Sequence, residues 1–207
     1  MTQSKDLKMT QAPPQHDFIL YTKKFCRELS QVENIPVPTK LTHPEKISEY
    51  LHTRQALFKA YKIYTSKSIQ SFELEGFHYL KEDLEKNYIL SLSHSQKSCA
   101  ILISKTQNFS SLGVDIEVKT RNIADGMKKY IIHPSDQSDY KLLEIFSIKE
   151  AAFKAIYKLD PEIKSLAEIN LTSNKFFYRN IVGNILNRST AQRFIFLALI
   201  NNKETLK

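Results

Sequence analysis

The segment Leu112-Gly113-Val114-Asp115-Ile116-Glu117-Val118 alternates strictly between its odd and even positions, which is the two-residue period of a β-strand. The alternation places Asp115 and Glu117 on one face of a mostly apolar strand. A carboxylate on a face that packs inside a protein is costly unless its charge is compensated, so these two side chains need either solvent or a cation. Taken alone, the strand could equally be an exposed edge carrying two ordinary surface acids.

A second segment changes that balance. Apolar residues Leu142, Leu143, Ile145, Phe146, Phe153, Ile156 and Tyr157 recur at helical spacing, predicting a helix from about Gln137 to Tyr157 that Asp160-Pro161 ends. Ser147, Glu150 and Lys154 fall at i, i+3 and i+7 and form one polar stripe beside the apolar face. By themselves Glu150 and Lys154 are a routine surface pair. Together, a strand offering Asp-x-Glu and a helix offering Glu with Lys one turn later can assemble a hard three-oxygen magnesium site beside a cation.

The remaining pattern is mixed. Residues 1–16 are polar, contain Pro13-Pro14 and read as a flexible tail. A first long helix is expected from Thr42, where Thr42 and Glu45 have capping-box spacing and Pro44 suits the first turn. Its stripe of Ile47, Tyr50, Leu51, Leu57, Phe58 and Tyr61 has Arg54 close beside it. Tyr88 to Ser93 and Cys99 to Ile103 read as a hairpin-like strand pair around His94-Ser95-Gln96-Lys97. Three more strands are expected at Ile169 to Leu171, Phe176 to Ile181 and Phe194 to Ile200. A long helix followed by strands thus occurs twice, predicting an α+β protein with an N-terminal lobe over 17–108 and a C-terminal lobe over 109–207.

Composition narrows the partners. The 207 residues are 42% hydrophobic and 11% aromatic, enough for one compact domain or two small ones sharing a core. A formal net charge of +8 favours anionic partners. Only Gly76, Gly113, Gly126 and Gly183 are present, none close to another, so there is no P-loop and no GxGxxG fingerprint. Bound phosphates would have to be held largely by side chains. Cys26 and Cys99 lack neighbours at metal-ligand spacing, which argues against a disulfide framework or a zinc site. No apolar run has the length of a signal segment or a membrane span, and a cytoplasmic protein is expected.

Gly113-Val114-Asp115-Ile116-Glu117, followed by Phe146-Ser147-Ile148-Lys149-Glu150-Ala151-Ala152-Phe153-Lys154, resembles the paired signature of 4′-phosphopantetheinyl transferases. Leu92-Ser93-His94-Ser95 also looks like that family's Ser-His segment, and the layout is most similar to its single-chain, enterobactin-synthase component D branch. The resemblance implies the transferase fold, two similar α+β lobes related by pseudo-twofold symmetry with the active site between them. It implies transfer of the phosphopantetheine arm of coenzyme A to a serine of an apo acyl or peptidyl carrier protein. Magnesium would be bound by Asp115, Glu117 and Glu150 together with the coenzyme A pyrophosphate. Glu150 or a water on the metal would accept the carrier serine's proton, Lys154 would meet the departing oxygen, and Lys149 would lie near the phosphates. Ser93 and His94 would touch the nucleotide phosphates. The carrier is expected to be acidic, the enzyme to be a monomer with neither nucleic acid nor membrane as partner, and the pathway to be siderophore or other secondary-metabolite synthesis.

The segment Arg54-Gln55-Ala56-Leu57-Phe58-Lys59-Ala60-Tyr61-Lys62 keeps the Arg, Phe and Ala of the branch pattern R-x-x-E-F-x-A-G-R and departs from it at Leu57, Tyr61 and Lys62. Arg54 and Lys62 still offer positive charge to a 3′-phosphate, though Lys62 cannot make the planar bidentate pair of an arginine. The rival readings are a metal-dependent nuclease, because Glu117-Val118-Lys119 fits E-x-K, and a basic nucleic-acid-binding protein. The first leaves Glu150 and Lys154 unexplained. The second would want lysines interleaved with exposed aromatics, a clustering the sequence lacks.

Overall fold

The computed structural model describes residues 17–25, 35, 37–66, 87–136 and 139–202. Their order is β1 (Phe18–Lys24), α1 (Pro44–Thr65), β2 (Tyr88–His94), β3 (Ser98–Lys105), β4 (Phe109–Val118), α2 (Lys128–Ile131), α3 (Leu142–Tyr157), β5 (Asn170–Leu171), β6 (Lys175–Tyr178), β7 (Ile181–Asn187) and β8 (Arg193–Asn201). One antiparallel sheet has the order β1-β3-β2 and the other the order β4-β8-β7-β6-β5. The fold class is α+β.

The two halves share a connectivity. In the first, β1 leads through α1 to the β2–β3 hairpin, and β1 pairs with β3. In the second, β4 leads through α3 to the β7–β8 hairpin, and β4 pairs with β8. β5 and β6 are added at the far edge of the second sheet.

Strand alternation sorts the apolar residues into three cores. Cys99, Ile101 and Ile103 of β3 meet Ala56, Leu57, Ala60 and Tyr61 of α1, while Ala100 and Leu102 turn the other way. They meet Leu112, Val114 and Ile116 of β4 and Ile195, Leu197 and Leu199 of β8. The opposite face of β8, Phe196, Ala198 and Ile200, packs with Ala151, Ala152, Ala155 and Ile156 of α3. The layers therefore run helix, sheet, sheet, helix.

Small residues let α3 approach β4 closely. A Cβ placed on Gly113 would lie 1.9 Å from the backbone oxygen of Ala151, so no larger residue fits without moving the helix. The same approach allows Ser111 Oγ to donate to the Ala155 carbonyl at 2.7 Å.

Several sequence expectations need correction. The first helix is capped at His43 with no side-chain cap, so Thr42 and Glu45 form no capping box. The second long helix begins at Leu142 rather than near Gln137, because the Glu144 carboxylate reaches back to accept the Lys141 N–H at 3.0 Å and Lys141 is extended. Residues 137–138 lie outside the described residues, as does the expected tail. Tyr157 is 43% exposed instead of buried. The expected strand Phe176 to Ile181 is two strands, broken at Arg179, whose φ of 51° turns the chain. β1 and most of β7 were missed. In β7, Gly183 and Asn184 interrupt the apolar pattern, and Gly183 is required because a Cβ there would fall 2.1 Å from the Phe176 ring.

Gly113→Ala is expected to lower the melting temperature by about 5–10 °C, since forced overpacking costs roughly 1–3 kcal/mol in a chain of this size. Thermal denaturation followed by circular dichroism measures it. An unchanged midpoint would mean that β4 and α3 are not packed backbone to backbone.

Candidate active site

Asp115 points from β4 toward α3 and is 4% exposed. Its Oδ1 accepts from Ser93 Oγ of β2 at 2.8 Å and from Lys154 Nζ at 2.9 Å, and its Oδ2 accepts from Ser147 Oγ at 2.8 Å. Three elements thus converge on one carboxylate. Lys154 Nζ also donates to the Val114 carbonyl at 3.1 Å.

Glu117, two residues on and 5% exposed, accepts from Ser95 Oγ at 2.8 Å and forms an ion pair with Arg121. The Arg121 guanidinium lies over the Phe146 ring, 4.9 Å from its centre. Burial raises the Glu117 pKa above its ordinary carboxylate value, and the charge of Asp115 adds to the rise against the donors Ser95 and Arg121.

Glu150 completes the group from α3. Its carboxylate is half-buried and makes no hydrogen bond or ion pair with the described residues. Burial raises its pKa most, Lys154 opposes the rise, and repulsion from Asp115 and Glu117 adds to it. Three carboxylates therefore share the field of Lys154 and Arg121, and Arg193 also interacts with Glu117. Among the described residues no group of His, Cys, Asp or Glu is gathered closely enough to hold a metal ion as it stands. The donor chemistry still fits a hard divalent cation: all three groups offer carboxylate oxygens, and Glu150 carries desolvated charge that no hydrogen bond offsets.

Ser93 and His94 are consecutive on β2 and so face opposite ways. Ser93 serves Asp115, whereas His94 lines a cleft with Lys46, Glu49, Tyr50, Arg54 and Leu92. Arg54 is 2% exposed and lies over the Tyr50 ring, 4.7 Å from its centre. Glu49 pairs with Lys46 at 2.9 Å and lies 3.9 Å from His94 Nδ1. Burial lowers the His94 pKa, with Lys46, Lys154 and Arg54 adding to the fall against Glu49, so the imidazole is neutral near pH 7.

Of the residues singled out in the sequence, Asp115, Glu117, Glu150, Lys154 and Ser93 come together in one group, and Arg54 and His94 in the adjoining cleft. Two do not. Lys149 is fully buried on another side of α3, its ammonium 2.7 Å from Asp136 Oδ2, which corrects the expectation that it lies near bound phosphates. Asp136 also accepts the His133 and Leu171 N–H groups, each at 2.9 Å, so Lys149 belongs to a structural tie. Lys62 is exposed two turns beyond Arg54, about 12 Å along the helix, and does not line the cleft. Ser95, Arg121, Glu49 and Tyr50 went unrecognised. The alternation of Ser91 and Ser93 on β2 with Ser95 just beyond it was the signal for the first.

No protein-family model matches the chain, and no curated protein matches it. Among the described residues, no helix is long and apolar enough to cross a membrane.

The raised pKa of Glu150 carries a prediction. Its ionised form is penalised in the folded chain; this cost is fully present above the folded pKa and vanishes as pH falls to the ordinary carboxylate value. Glu150→Gln should therefore raise the melting temperature by about 2–6 °C at pH 8 in chelator, the usual gain from relieving a strained functional group. The gain should shrink toward pH 4. Equal melting of both proteins at pH 8 would show that Glu150 is not strained.

Proposed function

We propose that the chain is a 4′-phosphopantetheinyl transferase, moving the phosphopantetheine arm of coenzyme A to a serine of an apo carrier protein and releasing adenosine 3′,5′-bisphosphate. The observation that carries this reading is the convergence of Asp115 and Glu117 on β4 with Glu150 and Lys154 on α3, within one partly desolvated group. The shared connectivity of the two halves supports the transferase fold, with pseudo-twofold lobes over 17–108 and 109–207 and a site between them. Acting as a monomer in the cytoplasm completes the proposal.

Asp115, Glu117 and Glu150 would hold the magnesium ion, which when bound neutralises charge on the pyrophosphate oxygens. The chain's own groups account for the rest. Glu150, its pKa raised by burial, accepts the proton of the attacking carrier serine as the new oxygen–phosphorus bond forms. Lys154, already aligned by Val114 and Asp115, neutralises the oxygen of adenosine 3′,5′-bisphosphate as its bond to phosphorus breaks. Arg54, Lys46 and His94 supply the cleft with donors for phosphate oxygens. The nuclease alternative is weakened because Lys119 lies over the Phe194 ring, 4.9 Å from its centre, instead of meeting a carboxylate.

The test is incubation with coenzyme A, Mg²⁺ and a panel of apo carriers, reading the phosphopantetheine mass increment. No increment on any carrier, with cleavage of nucleic acid in its place, would favour the nuclease. Asp115→Ala, Glu117→Ala and Glu150→Ala should each lower turnover by about a hundredfold or more, and double variants should be no worse than singles because the groups act as a unit. Arg54→Ala and His94→Ala should mainly raise the KM for coenzyme A, with a smaller effect when dephospho-coenzyme A is the donor. Equal effects on both donors would exclude the 3′-phosphate as their target.

A further inference from the structure

β2 and the residue just beyond it present Ser91, Ser93 and Ser95 at two-residue spacing to the edge of β4 that has no strand partner among the described residues. Ser91 Oγ accepts the Val114 N–H at 3.0 Å, Ser93 Oγ donates to Asp115 at 2.8 Å, and Ser95 Oγ donates to Glu117 at 2.8 Å. The first contact joins the two sheets through a backbone group. The other two end on carboxylates of the site.

Ser95 differs from its neighbours because it lies past the end of β2, at the start of the turn to β3. In that turn Gln96 and Lys97 have φ of 38° and 61°. Such a turn suits the twist of a hairpin, but it favours Asn-Gly, and residues with a Cβ are strained in it. The surroundings hold it in place. Arg193, the first residue of β8, donates from its two terminal nitrogens to the carbonyls of Ser95 at 3.0 Å and Gln96 at 2.9 Å, and the Phe25 N–H donates to the Lys97 carbonyl at 2.7 Å. A continuous chain of contacts thus runs from β8 through Arg193 and the strained turn to the Ser95 hydroxyl and Glu117 Oε2. Backbone strain that the surrounding structure enforces is typical of functional sites.

We propose that Ser95 is a positioning residue, fixing the Glu117 carboxylate for cation binding, and that Arg193 acts through the turn to hold Ser95 in place. The inference rests on the cation site of the proposed transferase. Hydrogen bonds of this kind set a ligand's orientation before the ion arrives, so their loss weakens binding without removing a ligand.

The experiment is titration of the full chain with Mn²⁺, following the free-ion EPR signal, without and with saturating coenzyme A. Ser95→Ala should weaken Mn²⁺ binding by about tenfold, the lower end of what loss of such a supporting bond costs, and Arg193→Met should do the same. Ser95→Thr keeps the hydroxyl and should stay within about threefold of the native chain. Ser91→Ala removes a contact of the same row that touches no carboxylate. It should lower the melting temperature and leave Mn²⁺ affinity unchanged. Native affinity in Ser95→Ala overturns the inference while the cation site stands, and so does a loss in Ser91→Ala as large as in Ser95→Ala. If the native chain binds no Mn²⁺ under either condition, the cation site itself falls and the inference with it.

Discussion

The enclosure of Asp115 sets the terms for the rest of the molecule. A carboxylate only 4% exposed persists because Ser93, Ser147 and Lys154 surround it, each carried by β2 or α3. Removing one partner of such a buried charge typically costs about 3–5 kcal/mol, so the three elements are locked to one another through one side chain. The lock in turn demands the close approach of α3 to β4. Ser147 reaches Asp115, Ala151 faces Gly113 and Ala155 meets Ser111, so the helix descends as the strand ascends. Small residues at those crossings are as necessary to the site as the charged ones.

The free edge of β4 explains why a polar site can lie between two sheets whose facing surfaces are apolar. An edge strand exposes backbone groups that must find partners or water. Here the partners are side chains: Ser91 takes the Val114 N–H, Lys154 donates to the Val114 carbonyl, and Lys158 donates to the carbonyls of Leu112 and Leu90. Lys154 and the cap residue Lys158 are one helical turn apart, so the end of α3 bonds to the edge at two alternate residues, Val114 and Leu112. Among the described residues no further strand pairs with this edge of β4, and the half-buried Glu150 stands closest to solvent beside the buried Asp115 and Glu117.

Much of this was legible in the sequence, and the limits are physical. Period two around Asp115 and Glu117, and period 3.6 from Leu142 to Tyr157, are local properties of the chain and gave the right elements. Missing β7 had a different cause. The need for Gly183 comes from Phe176 on the neighbouring strand, and a tertiary contact of that kind leaves no local signal. Lys149 misled for a related reason. Its neighbour Glu150 faces the site, but one residue on a helix turns by about 100°, and the paired signature does not say which face each position occupies. Only Asp136, 13 residues earlier, reveals that Lys149 is a buried tie. Ser95 had a signal in the serine alternation, but Arg193 was unreadable because its link to Ser95 passes through carbonyls of a turn and not through any residue pattern.

The charge pattern suits the proposed chemistry more than simple anion binding. The chain carries +8 overall, yet at the carboxylate group three acids sit together, faced among the described residues by Lys154 and Arg121, with Arg193 near Glu117. On the other side of β2, Lys46 and Arg54 make the cleft basic around the single acid Glu49, with the neutral His94 beside them. Ser93 and His94, adjacent in sequence and opposite in direction, mark the boundary between a region that attracts cations and one that attracts phosphates. A bare anion would be drawn to the cleft and repelled by Glu150. A pyrophosphate accompanied by a divalent cation satisfies both regions at once, with the phosphates toward Arg54 and the cation toward the carboxylates. The unsatisfied acid is therefore what distinguishes this site from a general phosphate pocket, and its instability in the empty protein is the natural counterpart of binding a cation.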